Sequence, residues 1–193
     1  AVALLTFAND SSKQRATYYS LRQFQEIMLR VCSEIDSAKL VEILYKKACD
    51  VGFERLAWDE IDVWDQIHSR RAPPTTPLIA AIKARNKNCV EKLLELGANP
   101  DYGCSFLQRT ALHWAAMSND VQIVKSVLRN EMTNPNSRCY IHPADNEFPM
   151  PPDRPCITAL DLAQGYGKDY GNGCDHRGWH EPYMKSSPEI IKL

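Results

Sequence analysis

The sequence predicts an all-α solenoid of stacked helix-turn-helix units, with an N-terminal helical cap and two long insertions. Three observations predict it. The string Thr76-Pro77-Leu78-Ile79-Ala80-Ala81 returns 34 residues later as Thr110-Ala111-Leu112-His113-Trp114-Ala115-Ala116, and again as Thr158-Ala159-Leu160-Asp161-Leu162-Ala163. Self-similarity at such a period marks a repeat array. Apolar residues around the strings recur in steps of three and four, the spacing of an amphipathic helix. The composition is that of an ordinary folded chain: 193 residues, 44% hydrophobic, 24% charged, formal net charge −1. Such a balance is too apolar for overall disorder, and no apolar run reaches the ~20 residues that span a bilayer.

The elements follow in order. Residues 1–15 show no clear period and end in a polar, turn-prone stretch. From Tyr18, the residues Leu21, Phe24, Ile27, Met28, Val31 and Ile35 form one apolar helical face. Asp36 or Ser37 can cap a second helix with Leu40, Ile43, Leu44 and Val51 inward and Gly52 as terminator. A third helix is expected from about Glu54 to His68, with Leu56, Ile61, Trp64 and Ile67 inward, before Pro73-Pro74 closes the block. Residues 1–72 are therefore an N-terminal helical capping segment, either a divergent repeat or a separate helical pack. Residues 73–193 carry the repeats, at about 73–105, 106–153 and 154–193.

In the first copy, Thr76 caps a helix whose first turn holds Pro77, where no N–H partner is lost. The run Val90-Glu91-Lys92-Leu93-Leu94-Glu95-Leu96 supplies a second, outer helix, and Gly97 the positive φ that ends it. The second copy repeats this with Ile123-Val124-Lys125-Ser126-Val127-Leu128, and Asn134-Pro135-Asn136 answers Asn99-Pro100-Asp101. The third copy is split. A long segment separates Asn136 from Thr158, and a further insertion at 165–187 separates the inner helix from Ser187-Pro188-Glu189-Ile190-Ile191-Lys192-Leu193. That last string reads as the start of an outer helix cut short, which predicts that the chain is part of a longer protein.

The Thr-Pro-Leu-x-Ala-Ala and Thr-Ala-Leu-His-Trp-Ala-Ala strings, the Leu-rich second helices and the Gly-Ala-Asn hairpin resemble the ankyrin repeat. The resemblance implies a solenoid that binds one or more proteins or peptide segments through hairpin tips and the concave inner-helix face, without catalysis and without a cofactor. It implies that His113 links backbone groups of adjacent hairpins. Carrying the family's variable positions across gives a docking surface of Thr75, Lys83, Phe106, Leu107, Arg109, Met117, Ser118, Arg154, Ile157 and Tyr166. Phe106-Leu107 at a hairpin tip is either an apolar interaction patch or packing beneath the neighbouring insertion.

Gly165-Tyr166-Gly167-Lys168 follows a helix and lacks the Gly-Lys-Ser/Thr ending of a phosphate loop. No nucleophile elbow is present. Cys139, His142, Cys156, Cys174, His176 and His180 lie in or beside the two insertions, where thiolate and imidazole at short spacing could hold zinc. The alternative is free thiols and surface histidines. Lys+Arg 23 against Asp+Glu 24 leaves no basic excess for nucleic acid or a membrane surface. Lys83, Arg85, Lys87 and Lys92 form a local basic cluster that suits an acidic protein as well as a nucleic acid. Seven cysteines, an odd number, and no visible signal peptide point to a reducing, cytoplasmic setting, with the nucleus as an alternative. Three readings follow: a non-catalytic interaction module or adaptor, a regulatory segment of a larger enzyme, receptor or effector that contacts other domains of the same longer chain, and a zinc-stabilised module.

Overall fold

The computed structural model describes residues 23–50, 75–103, 108–140, 156–165 and 187–193. The expected helix at 54–68 and the N-terminal stretch 1–15 lie outside them. Helix α1, described over residues 23–30, runs on into a π-helical turn at Val31–Ile35. It is followed by α2 (Ala38–Asp50), α3 (Pro77–Lys83), α4 (Lys87–Glu95), α5 (Ala111–Ser118) and α6 (Val121–Leu128). Strands β1 (Arg138–Tyr140) and β2 (Cys156–Thr158) pair antiparallel, and α7 (Ala159–Gln164) and α8 (Pro188–Ile191) complete the described chain.

The described helices form four two-helix layers. An inner row runs from the π turn to α3, α5 and α7, each packed on the next, and an outer row runs α2, α4, α6, α8 in the same way. Within each layer the inner and outer helices also pack together. The small inner-row residues Ala81, Ala111, Ala115, Ala159 and Ala163 are buried, which lets successive inner helices approach closely. Leu93, Ile123 and Val127 of the outer row are fully buried in the same core cluster.

The repeated strings fold alike. Thr76 Oγ1 accepts from the Ile79 amide at 3.1 Å, so Thr76 caps α3 with Pro77 in the first turn. In both hairpins an Asn-Pro-x turn closes by the same side-chain bond, Asp101 N to Asn99 Oδ1 at 2.9 Å and Asn136 N to Asn134 Oδ1 at 3.0 Å. Gly97, at φ +89°, ends α4 with the paired bonds Ala98 N to Leu93 O and Gly97 N to Leu94 O. The split third copy is a fourth layer: Ser187 N donates to Asn119 Oδ1 at 2.7 Å, and Lys125 of α6 pairs with Glu189 of α8 at 3.6 Å.

The first layer departs from the expected faces. Met28, Val31 and Cys32 are buried, but Ile27 and Ile35 are about half exposed. In α2 the buried residues are Val41 and Ala48, whereas Leu40 and Ile43, expected inward, are exposed. The physical reason is positional. Among the described elements α1 and α2 have a layer on one side only, so the stripe facing that layer is buried and the adjoining apolar residues are not. The π turn then widens the helix and carries Ile35 out of register with Val31.

Candidate functional site

In each described layer the inner helix ends through a residue in the left-handed region. These are Asp36 (φ +45°), Arg85 (φ +59°), Asn119 (φ +55°) and Gly165 (φ +87°). Gly165 is therefore the terminator of α7, its amide bonded to Leu162 O, which accounts for the glycine that opens the phosphate-loop-like string. The turn fixes where the last residues of α3 and α5 emerge, and these residues form the accessible part of the inner row.

Lys83, the last residue of α3, is exposed, and its Nζ lies 3.9 Å from the centroid of the Trp114 ring on α5. Arg109 approaches the same ring at 5.3 Å. Cation–π contacts of this kind contribute about 0.5–1 kcal/mol at exposed sites, so the indole holds a lysine head that would otherwise sweep many rotamers. Trp114 itself is half-buried, and its Nε1 is buried and donates to no other group. Met117 and Ser118 follow one turn later, both half-buried; the Ser118 hydroxyl donates to Ala115 O at 2.8 Å and accepts from the Asp120 amide.

The other sequence-derived positions divide. Thr75 is half-buried and its Oγ1 is enclosed without a hydrogen-bond partner. Ile157 is half-buried within β2. Arg109 is only 6% exposed, packed against Trp114 and close enough to Cys139 and His113 to act on both thiol and imidazole. It is part of the seam between layers rather than an open contact. Phe106, Leu107, Arg154 and Tyr166 lie outside the described residues. Trp114 and the backbone role of Arg85 were missed by sequence reasoning. The available signal for Trp114 was its size: it stands where the first copy has Ala80.

His113 is fully buried at the seam. Its Nδ1 accepts from the Thr110 amide at 3.2 Å and lies 2.8 Å from Thr110 Oγ1, while Nε2 is 3.3 Å from Ile157 O. Because the Thr110 amide can only donate, Nδ1 is the acceptor and Nε2–H donates to the Ile157 carbonyl. Burial pushes the imidazole down from its ordinary 6.5 to about 4, opposed by the Ile157 bond. A neutral histidine bonded at both nitrogens is a structural brace and not a general base at neutral pH.

Of the zinc candidates, Cys139 and Cys156 fall among the described residues. The ladder pairs Cys139 with Ile157 and Tyr140 with Cys156, so Cys139 and Cys156 project from opposite faces of the ribbon. Burial also pushes the Cys139 thiol up to about 11, away from the thiolate a metal requires. Among the described residues no group of three or more His, Cys, Asp or Glu is placed to hold a metal ion. His142, Cys174, His176 and His180 lie outside them. The five described cysteines, Cys32, Cys49, Cys89, Cys139 and Cys156, are thiols outside any disulfide. No helix among the described residues is long and apolar enough to cross a membrane.

Layers of paired helices with a partly open inner row define an all-α helical-repeat solenoid. The family model described as ankyrin repeats, in three copies, matches residues 27–139, more than half of the chain, and the chain belongs to the ankyrin repeat family. The match begins within α1, takes in α2 and ends within β1, before the Thr158 copy. No curated protein matches the chain. Ankyrin repeats are generally protein–protein interaction modules.

Proposed function

We infer that the chain is a non-catalytic docking module, an adaptor-like scaffold that takes a partner protein or peptide segment across the inner-helix row of its two central layers. The observation that carries this reading is the Lys83–Trp114 pair. On α5, where Ala111, Leu112, His113, Ala115 and Ala116 are all buried, Trp114 keeps part of its ring at the surface and holds the exposed Lys83 over it. Tryptophan is among the residues that dominate interface energetics, and a pre-ordered side chain loses little entropy on docking. Thr75, Met117 and Ser118 extend the surface on either side. The described cysteines being thiols supports a reducing intracellular setting.

Photo-cross-linking from two positions tests the reading. A benzophenone amino acid at Met117 should give discrete partner adducts in cells, and the same probe at the exposed outer-face Arg129 should give none of them. Equal adducts from both positions would place the partner elsewhere.

A further inference from the structure

We propose that Cys32 and Cys89 form a reversible oxidation site, a dithiol that a hydroperoxide converts into a disulfide clasping the first layer to the second. The two residues come from different layers. Cys32 lies in the π turn that ends α1, Cys89 lies in the first turn of α4, and both are fully buried. Their side chains meet in the seam closely enough to share a hydrogen bond. The main chain at each cysteine is pinned from the opposite layer. Asn86 Nδ2 donates to Cys32 O at 2.8 Å, and the Cys89 amide donates to Asp36 Oδ1 at 3.0 Å. Cys89 Sγ also lies 4.0 Å from Val31 O. Thiol contact with both main chains held is the arrangement a disulfide needs, since a bridge tolerates little backbone displacement. The other described cysteines lack it: Cys139 and Cys156 project from opposite faces of their ribbon, and Cys49 is exposed.

A buried thiol by itself serves as a small hydrophobe, but this pair is polarised. The hydrogen bond from Cys32 holds the Cys89 thiol below its ordinary value, aided by the Ser37 amide and opposed by burial and the Asp36 carboxylate. The same bond, together with burial, pushes Cys32 up. Cys89 is therefore the nucleophile, because the thiolate is the reactive form, and Cys32 is the thiol that resolves. Cys89 attacks one oxygen of the hydroperoxide and the O–O bond breaks. The sulfur becomes a sulfenic acid, and the other oxygen leaves with the proton that the thiol lost, as an alcohol or, from hydrogen peroxide, as water. Cys32 then attacks the Cys89 sulfur, and its proton leaves with the sulfenic oxygen as water. In total two thiols lose two electrons and two protons, and one hydroperoxide is reduced. Access follows from position. Among the described elements the first layer is packed on one side only, so it opens at less cost than the layers held on both sides. Hydrogen peroxide is close to water in size and needs only a brief opening.

The test treats the full, natively folded chain with hydrogen peroxide, alkylates the remaining thiols and maps the peptides by mass spectrometry without reduction. The expected result is a linked peptide pair holding Cys32 and Cys89, lighter by two hydrogens. Because the bridge closes the long stretch of chain between them and so restricts the unfolded state, the melting temperature should rise by at least about 5 °C. Dithiothreitol should reverse both changes, and Cys32→Ala or Cys89→Ala should lose the rise. A buried substitution can unsettle the fold, so the wild-type map decides independently of these variants. Cys32 and Cys89 staying reduced while Cys49 takes up oxygen would overturn the proposal. So would either of the two linked to another cysteine, or a bridge between them that forms only in denaturant. A bridge that left the melting temperature unchanged or lower would overturn the clasp.

Discussion

Two joints of the stack show how differently one architecture can be fastened. Between the third and fourth layers the bond runs from helix to ribbon: His113 closes the start of α5 on Thr110 and reaches Ile157 of β2 with its other nitrogen. Between the first and second layers no residue of the repeated string takes part. There Asp36, held in the left-handed region after the π turn, accepts from the Cys89 amide at 3.0 Å and from Asn88 Nδ2 at 2.9 Å, capping α4 from another layer. Asn86, the residue where α4's own cap would be, makes no side-chain cap and instead donates to Cys32 O at 2.8 Å. The string's fourth position explains part of the contrast. It holds Ile79, His113 and Asp161 in the three copies. Isoleucine leaves only the threonine cap. Aspartate closes a reciprocal box with Thr158. Histidine does this and has a second nitrogen left for the neighbouring hairpin. The number of polar atoms in one side chain thus decides whether a layer is only capped or also tied.

Breaking the histidine joint carries the largest expected effect. His113→Ala removes a fully buried side chain and strands the Thr110 amide and the Ile157 carbonyl, which should cost about 2–4 kcal/mol in chemical denaturation. His113→Asp, borrowing the last copy's solution, should recover the box but not the tie and fall between the two.

The same joint is acid-sensitive. The folded imidazole titrates near 4, below its ordinary 6.5, so between these values the unfolded chain binds a proton that the folded chain does not. The stability supplied by His113 is therefore complete above about pH 6.5 and is lost as pH falls toward about 4, at up to about 1.4 kcal/mol per pH unit. The difference in unfolding free energy between wild type and His113→Ala should shrink over that window. A difference independent of pH would show that the histidine is not held neutral by burial.

The first joint should be weaker. Asp36→Ala removes a helix cap and one side-chain bond, an expected loss of about 1–2 kcal/mol in thermal or urea unfolding. It should be matched by faster amide exchange in the first turn of α4 and not in α5. Its partners also explain what was legible in the sequence. The layers around Thr76 and Thr110 were readable because caps, small alanines and leucine runs sit at fixed local spacings. Asp36 was readable only as a local cap. Its real partners, Asn88 and Cys89, are more than fifty positions away, and no local spacing connects them. The buried stripe of α1 and α2 was misread for a related reason. Periodicity shows that Ile27 and Ile43 belong to apolar faces, but not that these helices have a layer on one side only. For the proposed docking surface, Lys83 and Met117 follow from their place in the repeat. The burial of Arg109 and the platform role of Trp114 depend on the packing of one layer against the next.

The smallest effect expected is a gain. The inner-to-outer turn of the second layer passes through Arg85 at φ +59°, where the fourth layer uses Gly165. A side chain with a Cβ pays roughly 1 kcal/mol for this conformation, against which glycine's greater unfolded freedom must be set. Arg85→Gly should therefore stabilise the chain by up to about 1 kcal/mol, read as a small rise in melting temperature.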